Sequence, residues 1–173
     1  NLSNEAIALV ENAEGAVFHM FDNNEELIPY KIAGKYFQEI TPNGYDLSDL
    51  IGKMPYGKGI AGKTLEYGEP IRVLNVSEHP WFEILIKDIK IKSLIVAPVI
   101  DPINKEPIGT INVLASKENA FSIEDELLLF TLACQAGRHL STLRTFSGWR
   151  LHGGVIKQIF DEFRTLNINK ADD

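Results

Sequence analysis

The sequence predicts an α+β domain built on a single, mainly antiparallel sheet of five to six strands. Three observations lead there. Residues 15–33 carry a hairpin pattern, two later segments are apolar on both alternating faces, and a long capped amphipathic helix follows them. The order is helix, hairpin, mixed connection, three strands and long helix, which suits one sheet layer covered by helices.

In chain order, Ser3 or Asn4 can cap a first helix whose Ala6, Ile7, Leu9, Val10 and Ala13 keep helical spacing up to Gly15. Residues 15–22 read as a strand, the polar cluster 22–25 as a turn, and Leu27 to Ala33 as the returning strand. Residues 34–58 are mixed, punctuated by Gly34, Pro42, Gly44, Gly52, Pro55 and Gly57. Gly59 to Tyr67 reads as a short helix ended by Gly68. A third strand spans Pro70 to Val76, then an irregular stretch holds His79, Trp81 and Phe82 and a helical turn through Ile84 to Ile86. Lys92 to Ile100 and Pro107 to Ala115 are strands joined by a polar turn at 101–106. Leu94 and Val96 lie opposite Ile95, Ala97 and Val99, so this pair belongs at the centre of a sheet covered on both sides. Ser122, with Asp125 three residues on, opens the longest helix in a capping-box arrangement. Its apolar residues 129, 133, 136, 140 and 143 make a seam able to pack on the sheet or pair with a second copy. A second amphipathic stretch at 151–166 and a polar tail follow. The division expected is an N-terminal helix at 1–13, a domain at 14–145, and a C-terminal segment or linker to an output module at 146–173.

Composition narrows the class of protein. Of 173 residues, 45% are hydrophobic and 24% charged, enough for a globular core. Lys plus Arg number 17 against 24 Asp plus Glu, a net charge of −7, and no basic run is present, which argues against a nucleic-acid partner. A single cysteine cannot form an internal disulfide and fits a reducing compartment. No apolar run approaches the roughly 20 residues that span a bilayer, so no membrane contact is expected of this segment. With Asn1 in place of an initiator Met and no signal-peptide pattern, the chain reads as a cytoplasmic fragment of a larger protein.

Four groups of residues resemble, in order and spacing, the GAF domain family. They are Gly57-Lys-Gly59-Ile60-Ala-Gly62 with Gly68-Glu-Pro70-Ile-Arg-Val73; Ile91-Lys-Ser93-Leu94-Ile-Val96-Ala-Pro98-Val99; Ile108-Gly109-Thr-Ile-Asn-Val113-Leu114; and Phe121-Ser-Ile-Glu-Asp125 before the leucine-rich helix. The resemblance covers residues 14–143, about three-quarters of the chain. It implies terminal helices on one face of the sheet and a small-molecule pocket on the other, roofed near residues 50–68 and 74–92. It also implies a ligand-sensing regulatory domain of cytoplasmic signalling that is not an enzyme. Such a domain controls a covalently linked output domain through its terminal helices and forms a homodimer through them. Two alternatives stand beside that reading. Ser116-Lys117, Phe121 and Asp125-Glu126 nearly reproduce the pattern of cyclic-nucleotide-binding GAF domains, with Ser116 departing from its Asn and Lys117 placed to pair with Asp125. The other alternative is a dimerisation or protein-interaction module with no ligand.

The chemistry-bearing residues point the same way. The enzyme among GAF relatives reduces free methionine sulfoxide with cysteines near the pocket, whereas Cys134 falls mid-helix without a partner and reads as a buried structural residue. The four histidines show no metal spacing, and His19, alternating with Val17 and Phe21, reads as a satisfied strand residue. Nucleophile-elbow, phosphate-loop and dinucleotide fingerprints are absent. Ligand-binding candidates are Ile60 and Ser93 within the family motifs, Arg72 for an anion, Trp81 and Phe82 for stacking, and Thr110 and Asn112 as polar residues sharing a strand face. The free N–H groups at the start of the 59–67 helix favour an anionic or carbonyl-bearing ligand. The sequence names neither the ligand nor a cofactor.

Overall fold

The structure, a computed structural model, describes residues 2–21, 26–38, 51–82 and 90–147. Its elements are α1 (Leu2–Leu9), β1 (Gly15–Phe21), β2 (Glu26–Ala33), α2 (Lys35–Gln38), β3 (Met54–Pro55), α3 (Gly59–Tyr67), β4 (Ile71–Val73), a 3-10 turn (Val76–Glu78), β5 (Ser93–Ile100), β6 (Pro107–Ala115) and α4 (Ile123–Ser147). The strands form one antiparallel sheet in the order β3-β2-β1-β6-β5-β4. The expected architecture is therefore present, although β4 is shorter than the 70–76 strand. The turn at 22–25, the helical turn at Ile84 to Ile86, the side chain of Leu143 and the 151–166 stretch lie outside the described residues.

The first and last long strands pair with each other, Val17 opposite Asn112 and Phe18 opposite Ile111, which puts β1, β6 and β5 at the centre. Those three strands are buried along almost their whole length, whereas β2, flanked on its outer side only by the two-residue β3, is partly buried. Their side chains alternate between two cores, as strand geometry requires. Phe18, Met20, Ile95, Ala97, Val99, Ile111 and Val113 join Ala6 and Val10 near α1 and Leu129, Leu132, Ala133, Ala136 and Leu140 of α4. Val17, Leu94, Val96 and Leu114 face the other way and pack with Ile60, Ala61 and Leu65 of α3 and with Phe37, Ile51 and Met54.

Local chemistry fixes the helices on this sheet. The expected capping box forms at α4, where Asp125 accepts from the Ser122 amide (2.8 Å) and hydroxyl (2.9 Å) and its own amide donates to Ser122 Oγ (3.1 Å). Gly57 and Gly59 take positive φ values of 72° and 63° on the way into α3, a conformation side-chain-bearing residues rarely adopt. Buried Asp101 ends β5 and accepts from the amides of Ile103 (2.8 Å) and Asn104 (3.3 Å) and from Ser141 Oγ on α4 (2.8 Å), so the β5–β6 turn is tied to the helix. The α4 seam is spent within the chain. Leu129, Ala133, Ala136 and Leu140 are all buried against the sheet, so Leu140 faces its own core and not a partner. Cys134, expected to be buried, is exposed on the outer side of α4.

At Gly137 α4 comes close to the end of β5, because a Cβ there would run into the Ile100 carbonyl. At an exposed helix position Gly→Ala stabilises by about 1 kcal/mol. Here the sign should reverse: Gly137→Ala should lower the unfolding free energy by about 1–3 kcal/mol, measured by urea denaturation. A stabilised variant would contradict the packing described.

Candidate functional site

The face of the sheet opposite α1 and α4 is apolar except at its centre. Three polar side chains meet there because each holds an alternate position on a central strand: His19 on β1, with Thr110 and Asn112 on β6. His19 stands opposite Thr110, and Val17 opposite Asn112, so His19 and Asn112 are diagonal neighbours across the pair. Gly109 lets the strands close up at this point, since a Cβ there would meet the His19 carbonyl. On its other side β1 meets β2 with a register shift between Phe18 and His19, opposite Pro29, a residue with no N–H to offer.

All three side chains are buried, with relative exposures of 2% for His19, 0% for Thr110 and 8% for Asn112. Asn112 Nδ2 and His19 Nδ1 lie 3.3 Å apart and share one hydrogen bond. Among the described residues, His19 Nε2, Thr110 Oγ1 and Asn112 Oδ1 have no hydrogen-bond partner. Each such buried atom costs about 1–3 kcal/mol. Three in one patch are a sizeable fraction of the about 5–15 kcal/mol that holds an ordinary domain together. Burial also strips water from the His19 ring and lowers its pKa to about 3, so the imidazole is neutral at physiological pH.

The structure divides the sequence candidates between the two faces. Thr110 and Asn112 belong to the polar centre, and Ile60 is buried in the same core, its carbonyl accepting from Thr64 Oγ1 at 2.8 Å. Trp81 and Phe82 pack on the margin of that core. The Trp81 ring is engaged by the protein itself, with Tyr67 at 5.8 Å, His79 at 5.4 Å and Lys63 Nζ at 5.9 Å from it. Arg72 and Ser93 are on the helix side. The Arg72 guanidinium donates to Glu126 Oε2 (3.0 Å) and the Phe121 carbonyl (3.1 Å), and Ser93 Oγ donates to the Lys117 carbonyl (2.7 Å). Both brace the start of α4 and do not reach the polar centre. Asp125, which the sequence places to pair with Lys117, is held by Ser122 in the capping box instead. His19 is the site residue that sequence pattern alone passes over. It reads as satisfied by analogy with other strand histidines, yet one ring nitrogen has no partner.

The antiparallel six-stranded sheet, with helices on one face and this centre on the other, is the GAF fold. The chain belongs to the GAF domain family, whose model matches residues 2–141. Solved structures agree on the fold. The GAF domain of a phosphoenolpyruvate-protein phosphotransferase from Coxiella burnetii superimposes with a TM-score of 0.62 at 17% identity, covering 79% of this chain and 77% of that one. The corresponding Acinetobacter domain gives 0.57 at 18%, covering 79% and 75%. The free methionine-R-sulfoxide reductase of Neisseria meningitidis, solved in complex with its substrate, gives 0.59 at 22%, covering 80% and 78%. No curated protein matches the chain in sequence.

The reductases overturn the expectation that this chain is not an enzyme. Several structures similar to it are free methionine-R-sulfoxide reductases, so the fold it shares is one that carries catalysis, and enzymatic activity is open to it. The chain's one thiol, Cys134, is on the outer side of α4, across the sheet from the polar centre.

The His19 environment gives a pH dependence with a defined sign. The unfolded chain takes up a proton near 6.5, whereas the buried ring takes one only near 3. Stability that is complete above pH 6.5 is lost as pH falls towards 3, about 2 kcal/mol of it by pH 5. His19→Gln, which stays neutral and can still meet Asn112, should remove that part of the acid dependence in urea titrations at pH 7 and pH 5. Equal pH 5 losses in the two proteins would show that the ring is hydrated.

Proposed function

We propose that this GAF domain binds a small molecule on the sheet face opposite its terminal helices, at His19, Thr110 and Asn112, and that it serves as a sensory module. The observation that carries the reading is the convergence of three unpartnered buried polar atoms on one face of the two central strands. Buried polar groups are satisfied in folded proteins, and a bound molecule supplies partners that the described residues do not. A route to an output follows from the same strands. His19 lies between Phe18 and Met20, and Asn112 between Ile111 and Val113, and these neighbours form the surface on which α1 and α4 rest. A small displacement at the polar centre is thereby delivered to α4 through a close-packed interior.

The test is a titration of the chain with cyclic nucleotides, amino acids, nitrate and haem, followed by amide and side-chain NMR. At least one compound should shift His19 and Asn112 and raise the melting temperature, with a response in α4. Mass spectrometry of the recovered ligand reports whether the domain also transforms what it binds. Thr110→Val removes one unpartnered hydroxyl without changing shape. It should stabilise the free chain by about 1 kcal/mol while weakening any ligand that uses the hydroxyl. If every compound that binds leaves the three residues unmoved, the site is elsewhere.

We also infer that self-association runs through the outward side of α4. Ile123 (68% exposed) and Leu127 (64%) stand one helical turn apart there, with uncharged Thr131 and Cys134 continuing the line. A stripe of this kind is able to meet its own copy about a two-fold axis. Leu127→Glu should shift the chain to monomer in sedimentation velocity with its melting temperature kept, whereas an unchanged dimer would exclude this face.

A further inference from the structure

The hydrogen-bonding pattern at the polar centre specifies what kind of molecule fits it. This inference rests on the ligand-binding reading above and deepens it. Asn112 and His19 share a single hydrogen bond, Nδ2 to Nδ1, and each keeps one polar atom without a partner, Oδ1 and Nε2. With Nδ2 donating to an unprotonated Nδ1, the ring proton is on Nε2, and the pair presents one donor (Nε2–H) and one acceptor (Oδ1). With the amide turned over and Nδ1–H donating to Oδ1, the pair presents one acceptor (Nε2) and one donor (Nδ2–H). Either way one donor atom and one acceptor atom are left without a partner, the carboxamide NH2 carrying two N–H bonds of which the pair uses at most one. The need for both an acceptor and a donor on the ligand therefore does not depend on the tautomer. Thr110 Oγ1 can take either role.

Charge is the second constraint. Among the described residues, Arg72 is bound to Glu126 and Phe121 on the opposite face, and Lys63 pairs with Glu66 at 2.6 Å on the exposed side of α3. The buried acids Asp101 and Asp125 both serve α4, the first through Ser141 and the second through Ser122. Among these described residues none offers a counter-charge to a full charge buried at the centre.

We infer that the ligand is an uncharged molecule presenting a hydrogen-bond acceptor and a hydrogen-bond donor side by side, as a primary or cyclic amide does. Of the anionic or carbonyl-bearing ligand that the glycine-rich start of α3 suggests from sequence, this keeps the carbonyl and drops the charge. An amide carbonyl and N–H complete the His19–Asn112 pair in both of its arrangements, whereas a carboxylate has no N–H and an ester lacks the donor.

The experiment uses the 173-residue chain and two matched sets of probes: acetamide, acetate and methyl acetate; and benzamide, benzoate and methyl benzoate. Long-range nitrogen-detected NMR follows the His19 ring, and the Asn112 side-chain NH2 is followed in parallel. One amide or both should shift both signals, the matching ester should bind about tenfold or more weakly, and the carboxylate should leave them in place. A carboxylate or ester that binds at His19 as tightly as its amide overturns the inference and leaves the ligand-binding reading intact. The inference is overturned in the same way if all six fail while a compound of the broader panel reaches His19. If neither set of compounds moves His19, both readings fail.

Discussion

The pairing of β1 with β6 is the constraint on which the rest of this domain depends. It joins the first long strand to the last, encloses both between neighbours, and leaves them with β5 buried on both faces. A strand in that position has no solvated side on which to place polar groups, so nearly every side chain has to be apolar or find a partner. Gly109, pressed against the His19 carbonyl, shows how closely the two backbones approach. The same pairing brings His19 to Thr110, residues far apart in the chain.

The two faces of that sheet are put to different uses. On one, α1 and α4 cover an apolar surface, and polar contacts hold the start and end of the cover in place: the Ser122–Asp125 cap, Arg72 on Glu126, and Asp101 on Ser141. These contacts claim two residues, Arg72 and Ser93, that position in the sequence assigns to a ligand. On the other face α3 and its flanking segments cover a second core with unpartnered polar atoms at its centre. A helix that bears on the back of that core through one layer of strands is mechanically joined to it, and the proposed sensory role depends on that joint.

Fold likeness alone does not divide sensors from enzymes. Domains of phosphotransferases and free methionine-R-sulfoxide reductases share this architecture at 17–22% identity to the chain. What a given member does depends on the groups it places at the site. Here those groups are a neutral imidazole, a hydroxyl and a carboxamide, with the sole cysteine across the sheet.

Local sequence determined the elements. A hairpin pattern marked β1, runs apolar on both faces marked β5 and β6, glycines bounded α3, and the Ser122–Asp125 spacing gave the start of α4, because period, turn chemistry and caps act over a few residues. The two-faced burial of residues 94–99 was also legible, since both faces of that segment are apolar. Which polar residues would meet was decided only by tertiary structure. His19 and Asn112 are 93 positions apart and become neighbours only through strand register. Whether Leu140 would face the sheet or a partner, and which way Cys134 would point, depended on how α4 turned about its axis. A seam records only that one side of a helix is apolar; the surface that buries it belongs to the fold.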